Sequence, residues 1–139
     1  MDGLKVVSVE QLLKEVGVAA APGEKLQVMP GDSVKINATI DYRGPTLDDY
    51  FYGAIGNREF YGFDEVTNAR TPISFPASDT WRTYSLSVDV PAPGRSGLFD
   101  LYVKIMGHLE AGLPEIADVI EVLAAVEFRN FAITSYEKV

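Results

Sequence analysis

Apolar and polar residues alternate along much of this chain, most regularly from Val34 to Tyr42, where every second residue is apolar. An alternation with a period of two is typical of a β-strand with one face in a core and the other in water. A Pro-Gly-Asp turn precedes this segment, and Gly, Pro and Asp separate the others. The pattern predicts strands at about residues 4–10, 25–29, 33–42, 49–56, 70–75, 81–90, 98–106 and 116–123.

The number and spacing of these segments predict the fold class. Short strands separated by turns are typical of folds in which two antiparallel sheets pack face to face. Pro91 and Pro93 must end the strand before them, because proline has no N–H to donate to a strand ladder. We therefore expect an all-β, two-sheet antiparallel sandwich of about seven to nine strands.

Residues 97–106 resemble the sixth strand of immunoglobulin-like sandwiches, which has the pattern Gly-x-Tyr-x-apolar-x-Val. The matching positions are Gly97, Phe99, Leu101 and Val103. The Pro-Gly-Asp-Ser-Val opening at residues 30–34 is similar to the second strand of surface and adhesion-type immunoglobulin-like modules. The chain is also similar to tail, fibre and capsid-decoration proteins of bacteriophages. These resemblances imply an immunoglobulin-like β-sandwich.

Two features depart from the antibody-type pattern. Phe99 replaces the tyrosine, so the hydroxyl that would close a tyrosine corner is missing. The single tryptophan, Trp81, begins a later strand instead of lying on the third, and the chain has no cysteine pair. The resemblance therefore implies the general sandwich and not an antibody-type domain.

The C-terminal segment, residues 126–139, extends beyond the last strand of a sandwich that we assign to residues 1–125. It is apolar, aromatic and alternating, and its candidate assembly residues are Val126, Phe128, Phe131, Ile133 and Tyr136. Three interpretations are open: an extra edge strand of the same sandwich, the first strand of a further repeat, or a strand donated to a neighbouring subunit. Left exposed, these side chains would be an aggregation hazard.

The N-terminal residues predict a strand whose apolar positions are Leu4, Val6, Val7 and Val9. Residues 131–137 can be laid on residues 4–10, with shared apolar spacing and a shared Ser-x-Glu. A capping-box pattern at residues 8–11 also fits a short helical turn, although the β-branched residues before it favour a strand.

Charge and composition narrow the possible partners. The 139 residues include 12 Lys and Arg against 20 Asp and Glu, which gives a net charge of −8. Because a surface with this negative charge repels phosphate backbones and anionic lipids, we expect no nucleic-acid partner. The sequence given shows no signal peptide and no apolar run of membrane-spanning length, so we expect no membrane insertion.

The residues offer little for catalysis or metal binding. With one histidine, His108, and no cysteine, neither a multi-histidine site nor a thiolate site is possible within one chain. The acidic pairs at residues 48–49 and 64–65 lack the ladder of a calcium loop, and we interpret them and His108 as solvated loop residues. We expect no catalytic residues, no metal and no cofactor.

Aromatic residues form the one candidate recognition surface. Alternation places Tyr50 and Tyr52 on the outer face if Phe51 faces the core, and Tyr61 and Trp81 are expected to extend this surface. Such rings are typical both of protein interfaces and of platforms that stack on sugar rings.

The function expected from the sequence is non-catalytic. The favoured interpretation is a structural or assembly protein of a virion, an extracellular filament or a surface layer, which associates by edge-strand pairing and burial of its apolar tail. Its partners would be other copies of itself or a virion or surface protein. The alternative is a carbohydrate-binding module that uses the aromatic platform and binds a glycan.

Overall fold

A computed structural model describes residue 20, residues 23–124, residue 126 and residues 128–139. The N-terminal predictions, namely a strand at residues 4–10 containing Leu4, Val6, Val7 and Val9 and the alternative helical turn, lie outside the described residues. The described part contains seven strands: β1 (Leu26–Val28), β2 (Ser33–Gly44), β3 (Leu47–Glu59), β4 (Gly62–Phe75), β5 (Ser78–Pro91), β6 (Gly97–Ile105) and β7 (Glu115–Val122). A single 3₁₀ turn, Leu109–Ala111, lies between β6 and β7.

The strands form two sheets, which confirms the expected all-β, two-sheet fold. One sheet has five strands in the order β1-β7-β6-β3-β4, and the other consists of β2 and β5. Neighbouring strands are antiparallel with one exception: β1 and β7 are parallel, with Leu26 opposite Ile120 and Val28 opposite Val122. The prediction of a wholly antiparallel sandwich was therefore wrong for this pair.

The core lies between the two sheets. The two-stranded sheet contributes alternate residues such as Val34, Val88 and Val90, and the five-stranded sheet contributes residues such as Phe51 and Ile55. Gly53 marks a point where the two sheets approach closely, because a Cβ atom added there would lie 2.8 Å from Cγ1 of Val88. The alternation seen in the sequence is thus the burial of one face of each sheet.

Strand β4 is much longer than predicted. It begins at Gly62, directly after a tight turn at Phe60 and Tyr61, and pairs with β3 along its whole length. The pairing register shifts between Ile55 and Gly56, which marks a β-bulge. A bulge interrupts the period of two on the bulged strand, so the sequence pattern does not predict a strand at residues 62–69.

The C-terminal segment forms no strand with its own sandwich in the part that the structure describes. Residues 126 and 128–139 carry no strand assignment, and all of them are exposed. The interpretation as an extra edge strand of the same sandwich is therefore not what the single chain adopts. The other two interpretations stay predictions.

Within the described ranges, no helix has the length and apolar character needed to cross a membrane.

Candidate interaction surfaces

The outer face of the five-stranded sheet carries a group of tyrosines. Phe51 and Ile55 of β3 point into the core, so Tyr50 and Tyr52 point outward, as the sequence predicted. The register between β3 and β6 sets Lys104 opposite Tyr52 and Tyr102 opposite Ala54. Tyr102 is thereby placed beside Tyr52, with their ring centroids 6.3 Å apart.

A single carboxylate holds the two tyrosines together. The hydroxyl of Tyr52 donates to Oε1 of Glu65 at 2.5 Å, and the hydroxyl of Tyr102 donates to Oε2 at 2.6 Å. Nδ2 of Asn68 also donates to Oε1, at 3.3 Å. Burial and the hydrogen bond to Glu65 raise the pKa of Tyr52 to about 12 and also raise the pKa of Tyr102. Both hydroxyls are therefore committed as donors. Glu65 is exposed, as predicted, but it lies on β4 and not in a loop, and its carboxylate has two tyrosine partners.

Cations cover the rings on this face. The ammonium of Lys104 lies 4.8 Å from the centroid of the Tyr52 ring, and the guanidinium carbon of Arg70 lies 4.5 Å from that of Tyr50. Both distances fall within the range of cation–π attraction. The face is consequently a set of rings, cations and one carboxylate that already satisfy one another, and not an open aromatic platform.

The other two predicted platform residues lie elsewhere. Tyr61 sits in the turn between β3 and β4, 69% exposed, with its ring edge-on to Phe60 at 5.2 Å. Trp81 lies on β5, where Leu86 and Val88 point into the core, so Trp81 points outward from the opposite sheet. The guanidinium of Arg43 lies 4.5 Å from its ring centroid. The expectation that Trp81 extends the surface of Tyr50 and Tyr52 was wrong, because β5 belongs to the other sheet. Tyr61 lies at the end of the hairpin that carries these two tyrosines.

An aspartate–histidine pair fastens the loop after β6 to β3. Nδ1 of His108 lies 2.8 Å from Oδ2 of Asp49, whose side chain is 9% exposed. The backbone N–H of Gly107 and that of Tyr50 also donate to this carboxylate, at 3.1 and 2.6 Å. Burial alone would raise the pKa of Asp49, but these hydrogen bonds outweigh it and lower the pKa. The prediction of a solvated loop residue was therefore wrong for Asp49, which lies on β3 and is largely buried. His108 does lie in a loop with its side chain 40% exposed, but it is paired with Asp49.

A shallow, open depression of about 360 Å³ adjoins this pair and is lined by Asp48, Asp49, Tyr50, Pro72, Ile73 and Ser74. Over the described ranges, no group of three or more histidines or carboxylates is placed to hold a metal ion.

Asp100 is a buried charge that the sequence reading missed. It is 6% exposed and lies where the pairing between β6 and β7 shifts register. Its Oδ2 accepts the backbone N–H of Arg58 at 2.7 Å, and its Oδ1 accepts that of Asp118 at 2.8 Å. Asp118 has a positive φ of 55°, so the carboxylate binds a backbone that is bent out of the ladder. Asp100 thus joins β3, β6 and β7.

Apart from Phe60 at the β3–β4 turn, the most exposed large apolar side chains of the described structure lie in the C-terminal segment. Their exposed fractions are 69% for Val126, 90% for Phe128, 101% for Phe131, 88% for Ile133 and 95% for Tyr136. Exposed apolar side chains gathered in one segment mark either an interaction site or an aggregation liability. All five predicted assembly residues are therefore available to a partner.

Known proteins offer no guide to these surfaces: no family model matches the chain, and neither a curated protein nor a solved structure matches it.

Proposed function

We propose that this chain is a non-catalytic assembly module. In this proposal an immunoglobulin-like sandwich associates with other copies of itself, by pairing of edge strands and burial of residues 126–139, in a virion, an extracellular filament or a surface layer. The observation that carries the proposal is the exposed C-terminal segment, which leaves two phenylalanines, an isoleucine and a tyrosine in water when no partner is bound.

The strand order supports the immunoglobulin-like part of the proposal. Strands β3, β6 and β7 share one sheet with β4, while β2 and β5 form the other. Immunoglobulin sandwiches likewise place their C, F and G strands, which correspond in chain order, in one sheet and B and E in the other. An additional strand beside C, such as β4, belongs to the variable type.

The free energy gained by burying the apolar side chains of the segment is similar to the cost of association, so assembly needs additional contacts. Burying Phe128, Phe131, Ile133 and Tyr136 gives roughly 5–10 kcal/mol before any costs. Association costs about 4–15 kcal/mol in lost translational and rotational freedom alone. Main-chain hydrogen bonds of strand pairing must therefore add to the apolar burial, which is what an extended segment and an open sheet edge provide.

Light scattering over a concentration series tests the proposal. The full chain, of 15.2 kDa, is expected to form oligomers. Both deletion of residues 126–139 and the pair Phe131→Ser with Ile133→Ser are expected to reduce these oligomers to monomers, and the deletion variant is the lighter of the two by fourteen residues. The matched control is the pair Phe60→Ser with Tyr61→Ser, which removes exposed aromatic area at the β3–β4 turn and should leave assembly unchanged. A full chain that is monomeric at all concentrations, or oligomers that survive both tail variants, would refute the proposal.

The carbohydrate-binding alternative gains no support from the arrangement of the rings. Each of the three rings has a cation over it: Tyr50, Tyr52 and Trp81. The two tyrosines lie on the five-stranded sheet, whereas Trp81 lies on the two-stranded sheet. A glycan titration that changes Trp81 fluorescence would revive this alternative.

A further inference from the structure

The sandwich offers strand edges of different quality to an added strand. In the described residues β4 pairs only with β3, and its free edge contains Pro72, which has no N–H. β5 follows β4 after residues 76–77 and contacts it, and its last residue is Pro91, which also has no N–H. β2 pairs only with β5 there, and its twelve residues contain no proline. Since prolines protect edge strands from added strands, β2 is the most receptive long edge among the described strands.

The inward face of β2 is also incompletely covered. Val34 and Ile36 at its beginning are buried, whereas Ala38, Ile40 and Tyr42 in its second half are only partly buried although they point toward the core. An additional strand beside β2 would place apolar side chains next to these three. This half of β2 therefore fits a strand that carries phenylalanine and isoleucine.

The C-terminal segment has the length and character of that strand. Residues 128–139 number twelve, as in β2, and contain no proline. Phe131 and Ile133 lie two residues apart, so they share one face of a strand, whereas Phe128 and Tyr136 lie on the other face. Their near-complete exposure shows that the segment does not lie on the β2 edge of its own chain.

We propose that residues 128–139 of one copy pair as a strand with β2 of a second copy, along the edge that no described strand occupies. This inference rests on the assembly function proposed above and names its receptor. The donor surface and the acceptor surface differ, so the contact is heterologous, and each copy can both give and receive a strand. Such contacts build rings or open filaments instead of symmetric dimers.

Disulfide trapping tests the pairing, because the natural chain contains no cysteine. Two separately prepared variants are mixed. The first carries Ala132→Cys or Ser135→Cys, which lie on opposite faces of the segment. The other carries a cysteine at one outward position of β2, namely Lys35, Asn37, Thr39 or Asp41. Matched controls place the cysteine at Ser74 of β4 or Ser85 of β5, which are equally exposed. A disulfide needs Cα atoms about 4.4–6.8 Å apart, and neighbouring strands lie about 4.8 Å apart, so only direct neighbours form the bond readily.

The expected result is a disulfide between copies that forms at least several-fold faster with a β2 cysteine than with either control. Oligomers that depend on the segment but link it to Ser74 or Ser85 would overturn this inference and leave the assembly function standing. A fast link between Lys5→Cys and a β2 cysteine within one molecule would also overturn it, because the edge would already be occupied. An absence of oligomers in the full chain would instead refute the assembly function itself.

A peptide of residues 126–139 gives a second test without substitutions. It should cap the β2 edge and shorten the oligomers of the full chain, whereas a scrambled peptide should not. Oligomers that keep their size in a large excess of the peptide would contradict the pairing.

Discussion

The buried carboxylate of Asp100 should be the most costly single side chain to remove outside the apolar core. It accepts two backbone N–H groups, from Arg58 at 2.7 Å and Asp118 at 2.8 Å, and it is 6% exposed. Asp100→Ala leaves both donors without their partner. Hydrogen bonds to charged groups contribute about 1.5–3 kcal/mol each, so the free energy of unfolding should fall by about 3–6 kcal/mol.

The conservative variant separates the hydrogen bonds from the volume of the side chain. Asp100→Asn keeps the shape but replaces one acceptor oxygen with a donor that faces a backbone N–H. Only one of the two bonds survives, so the loss should be about 2–4 kcal/mol, between that of the alanine variant and zero. Asp89→Ala is the matched control, because this aspartate is 63% exposed and its ion pair with Lys35 spans 3.5 Å. Exposed pairs are worth less than about 1 kcal/mol.

Urea denaturation followed by far-ultraviolet circular dichroism measures all three variants. The midpoint should shift while the slope stays constant, because the surface exposed on unfolding does not change. A loss of less than about 1 kcal/mol in the free energy of unfolding of Asp100→Ala would show that Asp100 does not hold the three strands together.

Three other outcomes follow from the packing and the titrating groups. Gly53→Ala should destabilise the fold by about 1–3 kcal/mol, because its Cβ would lie 2.8 Å from Val88; an unchanged urea midpoint would contradict the close approach of the sheets. Spectroscopic titration should show Tyr52 ionising only near pH 12 and Tyr102 ionising well above pH 10. Because the folded pKa values of both tyrosines lie above the unfolded value of 10.0, their contribution to the free energy of unfolding should be complete below pH 10 and be lost as the pH rises through 12. Asp49 has the opposite sign: its folded pKa lies below 3.8, so its contribution is present above that pH and is lost on further acidification, and Asp49→Asn should flatten the acid limb of the stability curve.

The sequence was sufficient for those strands whose pattern depends only on local chemistry. β2, β5 and β6 were found to within a few residues because each buries one face and follows the period of two. The first half of β4 was not, because the bulge opposite Gly56 interrupts its alternation. The parallel pairing of β1 with β7 joins residues 94 positions apart, and no local pattern encodes it.

For the candidate surfaces too, the sequence predicted what depends on local alternation and not what depends on the pairing of distant strands. Alternation correctly put Tyr50 and Tyr52 on one outer face, but the position of Trp81 required knowing which sheet β5 joins. The contact between Asp49 and His108 depends on the β3–β6 register, which the sequence does not display. Asp100 did leave a signal, since it is a charge inside the apolar run Gly-Leu-Phe-Asp-Leu. A charge in such a position is a candidate for burial at a bulge.

The parallel pair of β1 and β7 determines how the sandwich would respond to mechanical tension. The pair joins Leu26–Val28 to Ile120–Val122, and the N–H of Leu123 donates to the carbonyl oxygen of Val28 at 2.8 Å. A force that pulls the chain before β1 away from the chain after β7 acts along both strands in opposite directions. The hydrogen bonds are then sheared together instead of being opened one by one. A series of such modules would resist extension under load until the β1–β7 hydrogen bonds broke. The longer strand pairs would unfold and extend only after that.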